Sequence, residues 1–257
     1  MAAWMLPKRF QEGTTRRAGP LDRRSRMSWL PILVGVLFAQ GRRTASRWFA
    51  AAGVGDDWRD HDYFLGSLGR KISEVASELL MIAMTWIPKT HVGEYVRRAI
   101  DDSPTKRYGP HVEGAGIHHN PTPGPAGHEF RYGHVWVTLS WLVRHPRWST
   151  IGLPLRSRLY IRQRDLERLA TAGRQPWAFR TKLILAAERL EWAAGWLTAW
   201  LGKPVIAVVD GAYVKRPFLK RAAAAGVAVV SRLPPQVRHR APQSVPPRRP
   251  SAGLDDG

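Results

Sequence analysis

Residues 205–209, Val-Ile-Ala-Val-Val, restrict what this chain can fold into more than any other stretch. The run has no polar interruption, is bounded by Pro204 and Gly211, and leads into Asp210. It is short, apolar and β-branched, which predicts a strand buried on both faces, since a half-exposed strand would alternate. Strands of that kind belong to parallel sheets covered by helices, and ligands gather at their carboxyl ends. Asp210 stands at such an end. It either caps the turn that follows or serves as a functional carboxylate.

The flanking sequence predicts the rest of an α/β sheet. Pro176 suits the first turn of a long helix, and Gly202 with Pro204 marks its stop. Within it Leu183, Ala187, Leu190, Ala194, Leu197 and Leu201 form an apolar stripe. Trp192, Trp196 and Trp200 form a second stripe, read as packing rather than a cofactor box, and Glu188 and Glu191 read as solvent-facing charges. Beyond Asp210, Pro217 begins a helix over about 215–225, Gly226 caps it, and Val227–Val230 is the next apolar run. Residues 211–226 are long enough for a crossover helix between parallel strands.

Upstream, the sequence from Tyr95 alternates and ends in Asp101 and Asp102, which reads as a strand leading into a turn-rich loop. Residues 134–143, HVWVTLSWLV, read as a buried strand, and Trp148–Leu153 and Leu155–Ile161 as further extended pieces. Antiparallel strands, then a long helix, then strand–helix–strand predict a mixed α/β sheet with helices on both faces.

Forty Lys and Arg against 20 Asp and Glu leave a net charge of +20. An excess of that size repels itself unless a polyanion screens it, so nucleic acid is the expected partner rather than a membrane surface. There is no cysteine, hence no disulfide framework and no cysteine-based zinc site. The longest apolar runs fall short of the roughly 18 residues that a membrane span needs. The basic N-terminus lacks the apolar segment of a secretory signal, so the cytoplasm is the expected compartment.

Four regions are expected. Residues 1–27 read as a basic flexible arm and 28–92 as a helical, DNA-binding region. In the latter Arg42, Arg43 and Arg47 lie at helical spacing, and Ile72, Val75, Leu79, Ile82 and Trp86 mark one helix face. Residues 93–233 form the α/β core. Residues 234–257, rich in Pro and Arg and without periodicity, read as a disordered tail. His118, His119 and His128 fall in the Pro- and Gly-rich loop and read as loop histidines near DNA rather than as metal ligands.

Two carboxylates at strand ends, Asp101 (or its neighbour Asp102) and Asp210, would meet if their strands lay side by side. Paired carboxylates suit Mg²⁺, a hard cation that prefers oxygen ligands. Two such ions can activate a nucleophile and stabilise the leaving oxygen in phosphodiester cleavage.

The segments IDDSPTKRYGPHVEGAGIHHNPTPG, GHVWVTLSWLV and VVDGAYVKRPFL followed by GVAVVSRL resemble the catalytic core of DDE-type insertion-sequence transposases. GRRTASRW resembles the segment that precedes it. The resemblance spans about residues 40–233 and implies a ribonuclease H-like fold. It implies metal-dependent DNA cleavage and strand transfer with Mg²⁺ or Mn²⁺, in a bacterial, nucleoid-associated protein. Partners would be transposon ends and target DNA, bound by a homodimer or larger assembly. Asp101 is then the first catalytic and metal-binding aspartate, with Asp102 the alternative, and Asp210 is the second. Lys106, Arg107, Lys215 and Arg216 would meet phosphate beside the N-terminal arginines.

The family's third acid is a glutamate on a helix beyond the last strand. This sequence has no Glu after Asp210, only Asp255 and Asp256. Together with the change of composition after Leu233, that implies a truncated or frameshifted core, inactive alone. The alternative is a non-catalytic DNA-binding remnant or regulator of a full-length transposase. A nucleotide-binding α/β enzyme is disfavoured, because Gly114–Gly116 lacks a βαβ setting and no phosphate-loop lysine pattern occurs.

Overall fold

A computed structural model describes residues 6–41, 43–56, 58–109, 111–120, 127–173 and 177–232. Its sheet is built on β1 (Val96–Lys106), which has a different neighbour on each side. On one side β3 (Phe130–His145) runs antiparallel, with Ile100 opposite Leu139 and Lys106 opposite Gly133. On the other, β5 (Val205–Val209) runs parallel, from Val96 beside Val205 to Ile100 beside Val209. β6 (Val227–Ser231) continues the parallel side, and β4 (Ser149–Tyr160) pairs antiparallel with β3. The spatial order β4-β3-β1-β5-β6, three antiparallel strands followed by two parallel ones, is the ribonuclease H-like arrangement expected. β2 (Gly116–His119) adds a short antiparallel partner at the start of β3.

The apolar run at 205–209 forms the expected strand, but only its Val205, Ala207 and Val209 face is buried, not both faces. The helix of the long stripe is α7 (Lys182–Leu201), started by Thr181, whose hydroxyl accepts from the Ile184 N–H. It is ended by Gly202 at φ 62°, a left-handed conformation that costs glycine nothing. Pro176 lies outside the described residues. α8 (Arg216–Ala224) crosses over between β5 and β6. Ala187, Leu190, Ala194 and Leu197 of α7 and Phe218 and Ala222 of α8 are buried in one core with Val96, Ile100, Leu139, Trp141, Val205 and Ala207.

Helices on both faces were expected, and the structure corrects this. Alternation along the strands puts Val205, Ala207 and Val209 against α7 and α8, whereas Val208 and Val230 of the opposite face are 38% and 51% exposed. α7 and α8 pack on each other, so both lie on one side.

The meander also differs in detail. Trp148–Leu153 and Leu155–Ile161 are one strand rather than two. Leu139 pairs with Arg156 and Ser140 with Pro154, which leaves Leu155 as a bulge. Proline is tolerated there because β4 is an edge strand. β2 and α6 (Gln163–Thr171) arise where no period was visible.

The N-terminal residues pack as helices: α1 (Lys8–Arg17), α2 (Arg23–Phe38), α3 (Ala45–Ala51), α4 (Arg59–Leu68) and α5 (Ile72–Trp86). Residues 8–17, expected in a flexible arm, are held by distant partners. The Trp29 Nε1–H donates to the Thr14 carbonyl, and Gly13 lies against the Trp86 ring. α2 to α5 share a small core of Leu21, Ile32, Phe49, Phe64 and Val75. Residues 233–257, the expected tail, lie outside the described residues. Among the described residues no helix is long and apolar enough to cross a membrane.

Candidate active site

β5 ends at Val209, but β1 continues past Ile100 for six residues against β3 alone. Asp101 and Asp210 are therefore the first residues beyond the last parallel pair, on strands about 4.8 Å apart. They were expected at two strand ends. Asp210 is at one, while Asp101 lies within its strand, at the point where the neighbour stops.

Parity decides which carboxylate faces Asp210. Val96, Arg98 and Ile100 point towards α7, and Asp102 follows them on that face; Asp101 points the other way. The Asp102 carboxylate is occupied. Lys182 Nζ of α7 donates to its Oδ2 at 2.7 Å, and the Tyr213 hydroxyl donates to its Oδ1 at 3.1 Å. Burial first, and then the Asp102 charge, push the Tyr213 phenol well above its usual range, so it remains a donor.

Asp101 accepts only from the neighbouring Asp102 N–H, at 2.8 Å, among the hydrogen bonds seen. Partial burial raises its pKa, repulsion from Asp102 and Asp210 adds to the rise, and the Asp102 N–H and Lys182 oppose it. Asp210 is exposed and precedes a 3-10 turn, Gly211–Tyr213, without a side-chain capping bond. The capping role open to Asp210 is therefore not used.

The two carboxylates thus repel and share an open face, an arrangement that a divalent cation would relieve. Among the described residues no cluster of three or more His, Asp or Glu side chains is placed to hold a metal. The donor set that fits an oxygen-seeking cation consists of these two residues.

The expected phosphate contacts lie in three places. Lys215 and Arg216 are exposed at the start of α8, one short turn after Asp210. Lys106 is exposed at the end of β1, whereas Arg107 is half-buried and its Nε–H donates to His134 Nδ1 at 3.0 Å. Arg43 and Arg47 are exposed beside and on α3, and Arg42 lies outside the described residues.

The histidine reading needs correction. His118 and His119 belong to β2 rather than a loop, and His118 is buried beside Tyr160 and Arg162, out of reach of DNA. His128 is exposed ahead of β3. Glu188 pairs with Arg180 at 3.0 Å, and Glu191 holds Arg221 by two bonds of 2.6 Å, so neither is a plain solvent charge.

Lys182 and Tyr213 had no expected role. Lys182 precedes the apolar stripe of α7 and is no part of its period, and Tyr213 stands three residues beyond Asp210 in a turn without a period of its own.

The family described as DDE superfamily endonuclease matches residues 18–255. No curated protein matches the chain. Among solved structures, a piggyBac transposase in a synaptic complex with hairpin DNA, determined by cryo-EM, is similar at a TM-score of 0.34 and 8% identity. That similarity covers 89% of this chain and 46% of the other, so the chain spans under half of that protein's length.

Proposed function

The chain belongs to the DDE superfamily endonucleases, and from that premise we propose that it is a transposase that cuts and joins DNA strands at the Asp101–Asp210 pair. The carrying observation is the register: Ile100 pairs with Val209, so the next residue on each strand is one of the two aspartates. DDE superfamily endonucleases use divalent metal ions. Mg²⁺ or Mn²⁺ suits two carboxylates of this kind, and when bound it supplies charge for the attacking and leaving oxygens of a phosphodiester.

The chain's own residues do the rest. Asp101 and Asp210 present ligand oxygens on the open face. Lys182 and Tyr213 hold Asp102 back on the other face, so the set keeps its composition. In this reading Lys215 and Arg216 meet a phosphate beside Asp210, and Lys106 meets one further along β1. Arg107 is committed to His134 and contributes position more than charge. In this reading residues 28–92, with Arg43 and Arg47 exposed, bind DNA, and residues 93–233 carry the chemistry on transposon ends and target DNA, as a dimer or larger assembly.

The test is plasmid nicking and Mn²⁺ binding by the protein and by Asp101→Ala and Asp210→Ala. Loss of metal affinity in both variants supports the site. Unchanged affinity and unchanged nicking in both would remove it.

A second reading is favoured by one observation: no glutamate follows Asp210 in the sequence. Residues 1–257 alone would then bind DNA without cutting it, as a regulator of a complete transposase. That reading expects affinity that falls steeply with salt, as counterions are released, and no nicks. Nicking that is lost in Asp101→Ala would reject it.

A further inference from the structure

β1 carries a second polar group at the end away from the acid pair. Strand parity puts Arg97 on the Asp101 face, four residues earlier, opposite Leu142 of β3. Arg144, two residues beyond Leu142 on the same strand, shares that face, so the two arginines are diagonal neighbours. They line one hollow of about 580 Å³, together with Thr90 and His91 ahead of β1 and His145 and Thr150 of the β3–β4 hairpin. Arg97 is half-buried and Arg144 exposed, and neither guanidinium has a hydrogen bond or ion pair among the described residues. The Arg97 Nη2 reaches towards Gly93, whose carbonyl already accepts from Lys203 Nζ at 2.6 Å. His145 Nδ1 accepts the Arg147 and Trp148 N–H groups, each at 3.2 Å, which leaves its proton on Nε2 as a further donor. Glu94 is the carboxylate at the rim, and it pairs with neither arginine.

Two guanidiniums beside hydroxyl and imidazole donors, with no acceptor of their own, fit a phosphate group, which takes several donors at once. The sheet indicates where that phosphate comes from. Between Arg97 and Asp101 the same face carries Ala99, with Ser140 opposite it and Pro154 opposite Ser140. These low side chains leave a floor on which a polymer backbone can lie close to the strands, a path that a lone phosphate ion would not need. Four residues of strand cover about 13 Å. One strand of DNA carries a phosphate about every 3.4 Å along the axis. A strand whose scissile phosphate lies at Asp101 and Asp210 therefore brings another phosphate over Arg97.

We propose that the Arg97–Arg144 hollow holds a backbone phosphate of the DNA strand cut at Asp101 and Asp210, about four nucleotides from the scissile bond. The proposal rests on the DNA-cleaving reading above and adds the path of the strand: across the open face of the sheet, towards the start of β1.

The experiment measures binding of a labelled blunt duplex to the full chain by fluorescence anisotropy over a series of salt concentrations. Arg97→Gln with Arg144→Gln should lower the slope of log affinity against log salt by about 1 to 2, as counterion release is lost. Arg97→Lys with Arg144→Lys keeps both charges and should keep the slope. Arg164 and Arg168, exposed on α6, are the control: changing both to Gln removes the same charge and should leave the slope as it is. Equal falls in the two Gln pairs would reduce the effect to net charge and overturn the proposal. An unchanged slope in the Arg97 and Arg144 pair overturns it and leaves the cleavage reading standing. Failure of the unaltered chain to bind the duplex overturns both. A second readout leaves the arginines intact. The chain has no cysteine, so Thr150→Cys places a single thiol in the hollow. Duplex at about ten times its Kd should slow alkylation of that thiol by iodoacetamide about tenfold, because only the unbound fraction reacts. Inorganic phosphate at the same ionic strength should not slow it. Equal protection by inorganic phosphate assigns the hollow to a small anion, and no protection by duplex leaves it off the DNA path; either result overturns the proposal.

Discussion

Lys182 Nζ sits 2.7 Å from Asp102 Oδ2, an ion pair between the first turn of α7 and the middle of β1. It separates two adjacent aspartates that sequence alone left as alternatives. Asp102 has a cation and a phenol as partners on the helical face. Asp101 has the facing charge of Asp210 on the open one.

That separation predicts opposite effects of two conservative changes. Asp101→Asn should weaken Mn²⁺ binding at least tenfold, and should stabilise the metal-free protein by roughly 0.2–1 kcal/mol by removing a like-charge contact. Asp102→Asn should leave Mn²⁺ affinity within about threefold but lower the melting temperature, since Lys182 loses its counter-charge. Calorimetric titration and thermal unfolding of both variants check this. The reverse pattern would make Asp102 the ligand.

Tyr213 tests the same arrangement from the side of α8. Its ring is buried edge-on to Phe218, and its hydroxyl donates to Asp102. Tyr213→Phe keeps the packing and removes one bond to a charged acceptor, at a cost of about 1.5–3 kcal/mol. A urea unfolding midpoint unchanged by the substitution would show that the bond contributes nothing.

Arg98 is a different matter: a cation at the centre of the core. It is fully buried, its only visible bond is from Nη1 to the Leu190 carbonyl at 3.2 Å, and its Nε and Nη2 have no partner among the described residues. Burial pulls its pKa down to about 10. A buried charge so poorly compensated costs more in desolvation than it returns, so Arg98→Met should be neutral or stabilising by about 1–4 kcal/mol. Denaturant titration reads the sign directly. A large loss would mean that the guanidinium has a partner in solution.

Much of this was legible in the sequence where a single local pattern dominated. Val205–Val209, the stripe of α7 and the run at 134–143 each carried their own period, and from them the sheet followed. β2 was not legible, because four residues, Gly116–His119, are too few to show alternation and their pairing depends on Phe130–Gly133. α1 has little apolar surface of its own and is fixed by Trp29 and Trp86. The face on which Asp101 lies follows from strand parity, which one sequence contains. That Asp102 is neutralised depends on Lys182, 80 residues away, and that pairing appears only in the fold.

His118 gives the sharpest dependence on pH. Burial, then the nearby charges of Arg162 and Lys182, lower its pKa to about 4 from an ordinary 6.5. Its Nε2 has no partner among the described residues. The unfolded chain therefore takes up a proton at a pH where the folded one does not. The stability that neutral His118 permits is fully present above about pH 6.5 and is lost as pH falls from there towards 4. The loss is on the order of 1–3 kcal/mol over that window. His118→Phe retains an aromatic ring against Tyr160 and has no proton to gain, so its stability should vary less between pH 7 and 5 than that of the unaltered chain. Urea titrations of both proteins at the two pH values measure the difference. Parallel pH dependences would show that the acid sensitivity arises at another group.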